Sequence, residues 1–566
     1  MLSQLRLPLN VGSTKNILIT LLTIIAITTS LAAQTPEWEW TISDGGNRSD
    51  YGYKLAIDDE GNTYVAGYYY QTTILDGDTL FADNDEILLL KYSAQGNLIW
   101  YKSLGGIFYD RARDLALDND GNIILTGYFT DTVEFGNTTL HSAGQTDMFL
   151  SKISPDGDMI WTLHEGGFQS ELGNAIAIGS DNRIYVAGIL RGSAMIGDTL
   201  LTSQGAEDIF VALYDTNGEF IRAIQGKNAD SASPISIAVD SQDNIIIGGV
   251  FYTSLNINGS TLVGSGESEG FISKLSNNGV PYWSKKIGGN SYDYVYELTV
   301  DNNDNVISAG YFSTTVFIDG TQLISNGITD GFISKHLPDG TLDWINSYGN
   351  NGVDGIISLA TDAAGVIYTV GEFTESIQLP DTTLQSRGSS DIILSALDNT
   401  GDYLWTIHAG GSSSESGSGI AIREGAIRCT GIFYQSTTHG DTTISSNGLE
   451  DIFLTAYRIP ALTGLNDRVS APKEFQLGQN YPNPFNPSTQ IPFSLQKGST
   501  ITLEIFDVMG RRVRTLINEE KLNAGDHLET WNGKNDRGNA IATGVYTYRL
   551  RVNGGQSSEK RMIFLK

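Results

Sequence analysis

The chain has a single cysteine in 566 residues. No intramolecular disulfide can form, so a fold that works outside the cell must be held by packing alone. That cysteine, Cys429, stands where equivalent segments carry Val65, Leu125 and Val186, which predicts a small buried strand residue. Histidine is scarce too, with six, and none begins an HExxH; no CxxC pair and no phosphate-cradling loop is present. His164 and His408 follow Trp161 and Trp405 at equal spacing, which predicts a strand role rather than a shared catalytic centre. Basic residues are few, 35 Lys and Arg against 65 Asp and Glu, for a net charge of −30. Such an acidic surface argues against nucleic acid or anionic lipid as partner. Beyond the first thirty residues no run is long and apolar enough to cross a bilayer.

The one strongly apolar stretch lies at the start. Arg6 and Lys15 precede "NILITLLTIIAITTS", followed by the small residues Ser30, Ala32 and Ala33. Basic, apolar and small-residue regions in that order predict a secretory signal peptide over 1–33. The charge then divides the remainder. Residues 34–470 carry 56 acidic and 20 basic side chains, net −36, while 471–566 carry 9 and 13, net +4. A second, smaller domain over 475–566, behind a 460–474 linker, is expected.

What is abundant is glycine, 64 residues, and it is periodic. Gly67, Gly127, Gly188, Gly249, Gly310, Gly371 and Gly431 each end a short apolar strand, at intervals of 60 or 61. Around each lie an "LALD"-like strand, an Asp/Asn/Gly turn, a strand such as "NIILTGYF", a long loop, a "DMFLSKIS" strand and a last strand reaching Trp. A unit this size cannot bury both faces alone, so neighbours must stack. Four strands per unit repeated seven times predict an all-β, seven-bladed β-propeller over 37–459. An acidic residue opens the third strand at Asp85, Asp147, Asp208, Glu269, Asp330, Asp391 and Asp451, with Phe or Ile two residues later on the core face. The seventh unit lacks a terminal Trp strand, whereas "EWEWTISDGG" at 37–46 is one with no strands before it. The N-terminal strand is therefore expected to close the ring and remove its free edge.

Two features raise the question of cations. Turns such as "DDEGN" at 58 and "DNDGN" at 118 have hairpin-turn composition, which calcium loops share; Ca²⁺ in some blade is the alternative to a plain turn. Before each first strand lies an acidic residue: Asp50, Asp110, Glu171, Asp230, Asp293, Asp354 and Glu415. Placed at one mouth of a central channel, these seven would form a ring able to hold a cation or basic ligand; alternatively each accepts backbone N–H bonds in its own loop.

The repeat, with "GN", an apolar strand to Gly, an aromatic, "TL", "D" then Phe, and Trp, resembles the SBBP family of bacterial β-propeller repeats. The resemblance implies an exported bacterial propeller with no particular activity. Ile221 in place of Trp and "REGAIRC" in the seventh unit depart from it. The tail, "FQLGQNYPNPFNPSTQIPFSL", "ITLEIFDVMGRRVRTL" and "WNGKNDRGNAIATGVYTYRL", resembles the type A C-terminal sorting domain of the type IX secretion system of Bacteroidetes and related bacteria. It is also similar to the immunoglobulin-like domain of flagellar hook-capping proteins. Its alternating strands predict a small immunoglobulin-like β-sandwich. The sorting resemblance implies recognition by outer-membrane secretion machinery, and a secreted or cell-surface location in a Gram-negative bacterium. The matching residues are Pro482, Asn483, Pro484, Gly510, Gly544, Tyr546 and Lys566. With no catalytic motif, a non-catalytic binding or scaffold protein for an extracellular protein or glycan is expected, with no cofactor beyond the Ca²⁺ alternative. An extracellular polysaccharide hydrolase or lyase with its site on a propeller face is the competing reading.

Overall fold

The structure is a computed structural model describing residues 35–460 except 229 and 380–381, and, in the tail, 475–477, 480, 485, 487–495, 497–507, 511–552 and 556–564. The predicted signal peptide, residues 461–474 of the linker, and Pro482, Asn483, Pro484, Gly510 and Lys566 lie outside the described residues. All regular structure among the described residues is β, and the chain divides after Ala461 into two compact units.

The first unit repeats one pattern. An inner strand pairs antiparallel with a second, that with a third, and that with an outer strand, as in Asp50–Ile57, Thr63–Leu75, Asp78–Tyr92 and Leu98–Gly106. The remaining inner strands are Arg111–Leu117, Glu171–Ile178, Ala232–Val239, Asp293–Val300, Asp354–Thr361 and Glu415–Arg423. Each lies beside the next, and the last lies beside the first, so they form a closed propeller-like ring. The hydrophobic core is correspondingly divided into wedges between adjacent sheets. Phe149, Leu125 and Ala66 share one such wedge, and Phe453, Cys429 and Val370 another. Cys429 is buried there, and burial pushes its thiol pKa up.

The ring closes through its N-terminus. Glu37–Asp44 pairs antiparallel with Thr442–Arg458, with Trp40 opposite Ala456, supplying the outer strand missing from the last sheet. The indole N–H of Trp40 donates to the carbonyl of Ala94 in the first sheet (3.0 Å). Trp100, Trp283 and Trp344 make the same bond to the next sheet, to Pro155, Pro338 and Asn399 at 3.0–3.1 Å. At these four junctions the tryptophan is thus a latch between neighbours, whereas the indole N–H of Trp161 is buried without a partner among the described residues. Against Trp40 packs Gly96, at φ +83°, where a Cβ would come within 2.8 Å of the ring. The closure carries one device that the other junctions lack. Where Tyr64, Tyr185 and Tyr368 stand in other units the seventh has Arg428, fully buried, 5.1 Å from the Trp40 ring centroid and bonded to Glu39 (3.3 Å) and to the Ala94 carbonyl (3.3 Å).

The marker glycines answer to the inner strands. Every inner strand carries a bulge at the same place, for example between Gly52 and Lys54 and between Val295 and Glu297. Next to the bulge the inner strand presses its carbonyl onto the facing strand. A Cβ on Gly67 would overlap the carbonyl oxygen of Tyr51, and one on Gly310 that of Tyr294.

The second unit is a two-sheet sandwich. Phe475–Leu477, Thr489–Leu495 and Gly525–Trp531 form one sheet; Arg512–Leu522, Ser499–Asp507, Gly544–Val552 and Gln556–Phe564 form the other. Trp531, Tyr548 and Ile505 lie in its core. Gly544 opens its strand, and Tyr546 is buried with its hydroxyl donating to the Ala542 carbonyl (2.8 Å).

Deleting residues 35–44 removes the closing strand and exposes the edge of Thr442–Arg458, so the melting midpoint should drop by roughly 10 °C. Trp40→Ala alone should cost roughly 2–3 kcal/mol. A midpoint unchanged by the deletion would refute closure by this strand.

Candidate functional site

The structure does not place the seven acidic residues as a ring around the channel. Six of them, Asp50, Asp110, Glu171, Asp293, Asp354 and Glu415, are buried at the start of their inner strands. Each accepts the backbone N–H four residues earlier: Gly46, Gly106, Gly167, Gly289, Asn350 and Gly411, at 2.7–3.1 Å. They hold the crossing loops rather than face the channel, because that loop has N–H groups that nothing else satisfies. Asp230 is the exception and a correction. It is exposed, two residues before the strand, and the equivalent position in register is Ala232. In that unit Asp208 takes over the duty, accepting the Asn228 N–H (2.9 Å).

The Asp/Asn/Gly turns also use their own carboxylates. Asp58 accepts the N–H groups of Glu60 (3.1 Å) and Asn62 (2.7 Å), and Asp118, Asp240 and Asp301 add an ion pair to Lys152, Lys274 and Lys335 at 2.8–3.0 Å. His164 (3.0 Å) and His408 bond the third-strand residues Asp147 and Asp391, so they brace the sheet.

What lines the channel is a different set. The bulged residue of each inner strand lines the channel: Tyr53, Arg113, Asn174, Ile235, Tyr296, Ile357 and Ser418. With Tyr51, Lys54, Ser233 and Ser416 they enclose a cavity of about 440 Å³. Two tyrosine clusters, from the first and fifth units, reach it through Tyr51, Tyr53 and Tyr296. Tyr51 stacks on Tyr68 and Tyr53 packs tilted against it, with centroids 4.9 and 5.7 Å apart, and Tyr294 and Tyr296 pack tilted against Tyr311 at 5.1 and 5.5 Å. Between them in chain order come Arg111, 4.2 Å from the Tyr68 centroid, and Arg113, 5.4 Å from those of Tyr53 and Tyr128.

Further along the inner strands the channel is bridged. Lys54 pairs with Glu297, which also accepts the hydroxyls of Ser236 (2.5 Å) and Ser358 (3.2 Å). Asp114 lines the same inner cavity, of about 160 Å³, and accepts the N–H groups of Leu115 and Ile176, both at 2.8 Å. Burial works against the Lys54 charge, yet Glu297 and Asp114 hold its pKa above the ordinary value. Burial pushes Asp114 up to about 7, with Lys54 opposing and Glu297 adding to the rise.

None of these channel residues was singled out from the sequence. A usable signal existed: the position 13 or 14 residues before each marker glycine, which holds Tyr, Arg or Asn in four of seven units.

With the geometry in hand, comparison with known proteins adds the following. The β-propeller repeat family matches residues 42–68, and the FlgD Ig-like domain family matches 486–556. An uncharacterized WD repeat-containing protein of Acanthamoeba polyphaga mimivirus is 29% identical over 35% of this chain and 17% of its own length. Regulatory protein FlaEY of Caulobacter vibrioides is 23% identical over 55% of this chain and 35% of its own. The chain thus spans about a third or less of these relatives. Among solved structures it is similar to puromycin hydrolase (10% identity, 79% of this chain and 59% of that one, TM-score 0.36). It is similar also to PorZ, a surface component of the type-IX secretion system of Porphyromonas gingivalis (10% identity, 93% and 100%, TM-score 0.15). The chain is a β-propeller-repeat protein with a C-terminal immunoglobulin-like domain.

The buried loop carboxylates give a pH dependence. Burial is the main cause that pushes Asp50 up to about 8, Asp110 to about 6, and Glu171, Asp293, Asp354 and Glu415 to about 7. The folded state holds these protons more tightly than the unfolded chain does, so their contribution is full below the ordinary carboxylate range and is lost as pH rises toward 8. Asp118, Asp240 and Asp301 are shifted down, so their contribution is lost only below that range and does not offset the effect. The melting midpoint should therefore be higher at pH 5 than at pH 8, and Asp293→Asn should flatten the slope. A midpoint equal or higher at pH 8 would count against it.

Proposed function

We propose that this chain is an exported, non-catalytic β-propeller that binds an extracellular glycan or protein at its channel mouth, and that its C-terminal domain is a type IX sorting domain delivering it to the cell surface or medium. The observation that carries the binding reading is the cavity to which every inner strand contributes, lined by tyrosine, Arg113 and small polar side chains together with Ile235, Ile357 and Ile432, and bridged at Lys54 by Glu297. Its lining includes Ser233, Ser416 and Ser418 but no histidine and no carboxylate, so it offers ring faces and hydrogen bonds rather than an acid and base. Support for delivery comes from the leader pattern at 1–33 and from the motif around Pro482, Asn483 and Pro484, ahead of a sandwich that matches the FlgD Ig-like family.

The enzyme reading would set chemistry at Asp114 and Glu297, which face the inner cavity. Their engagement with Lys54 and backbone N–H groups gives them a structural task instead.

Two measurements test the proposal. The full chain, screened on glycan and protein arrays, should retain a ligand without releasing product from it; turnover of a bound glycan would replace the binding reading by the hydrolase or lyase one. Residues 471–566, fused to a reporter with a signal peptide in a host with this pathway, should carry the reporter to the surface or medium, and retention in the periplasm would count against the sorting role.

A further inference from the structure

The channel mouth contains one cation that the protein leaves unsatisfied. Arg113 lines the 440 Å³ cavity, and its Nε is buried without a hydrogen-bond partner among the described residues. The neighbouring cations are paired, Arg111 with Asp85 and Lys54 with Glu297. Arg113 instead has its guanidinium carbon 5.4 Å from the ring centroids of Tyr53 and Tyr128, and no carboxylate or carbonyl among the described residues engages it. In a chain with 65 acidic and 35 basic side chains, no carboxylate lines this cavity. A half-buried guanidinium in that state is completed by an acceptor from outside, and a carboxylate matches its fork best.

The remaining lining narrows the class of anion. Tyr51, Tyr53 and Tyr296 offer ring faces, while Asn174, Ser233 and Ser416 offer an amide and hydroxyls. A pyranose ring uses both, laying its C–H face on an aromatic ring and directing its hydroxyls to polar groups around it. A flat aromatic acid would leave the polar groups idle, and an Asp/Glu-rich peptide would leave the tyrosine faces unused. Building on the binding reading above, the geometry points to a uronic acid residue as the ligand, its carboxylate on Arg113 and its ring against Tyr296. Lys54 lines both this cavity and the inner one, so its bridge to Glu297 lies between them and the residue enters as the end of a sugar chain.

Titration calorimetry of the full chain tests this with digalacturonate and a glucuronate disaccharide, each beside its neutral counterpart, and with an Asp/Glu-rich peptide. The acidic sugars should bind at least tenfold tighter than the neutral ones. Arg113→Gln should erase that preference, Arg113→Lys should restore part of it, and Tyr296→Ala should weaken acidic and neutral sugars alike. Melting curves of the variants distinguish lost binding from lost fold. Equal affinity for acidic and neutral sugars, a preference that survives Arg113→Gln, or tighter binding of the peptide would overturn the assignment. An array ligand whose binding ignores Arg113→Gln would overturn the uronate class and leave the binding protein standing, whereas an array with no ligand at all would overturn both.

Discussion

The close approach of two backbones at the marker glycines sets the geometry on which the ring depends. At Gly67 and Gly310 the carbonyl of the inner strand occupies the space a side chain would need. That approach accompanies the bulge, and the bulge turns Tyr53 and Tyr296 toward the channel axis while Leu55 and Leu298, two residues on, return to the core. A larger residue would push the strands apart, remove the bulge and change which side chains meet at the centre. The architecture and the candidate site therefore share one constraint.

A second principle is that the long loops are held by buried carboxylates. Loops running over a sheet edge leave N–H groups that strand pairing cannot reach, and the acidic residues before the first and third strands accept them. Placing the carboxyls before the first strands out of water raises their pKa values, and the charge of Glu269 raises that of Asp293 further. The acidity that suggests solubility in composition is thus partly internal. The exposed part still leaves the channel mouth, with Arg113 and Lys54, as a local exception in a molecule of net charge −30.

Closure uses packing and charge together. Trp40 repeats the latch found at Trp100, Trp283 and Trp344, a hydrogen bond from one sheet to a turn of the next. Arg428 reinforces it from beneath by bonding Glu39 and Ala94, so the last junction joins residues from both ends of the ring. The same residue looked in sequence like a loss of the repeat pattern. It is a substitution specific to the one sheet that is assembled from two distant segments.

Periodicity, strand order, the buried Phe and Cys429 positions and the N-terminal closing strand could be read along the chain, because each depends on neighbours within one repeat or on counting repeats. The register of the acidic positions could not be read fully: Asp230 looks equivalent in spacing, but pairing with Phe251 falls to Ala232, and only the hydrogen-bond ladder distinguishes a loop residue from a strand residue two places on. The channel was wholly a tertiary outcome. Lys54 and Glu297 are 243 residues apart and belong to repeats with no pattern linking them, so their bridge, and the isolation of Arg113 beside it, arise only when the ring brings every inner strand to a common axis.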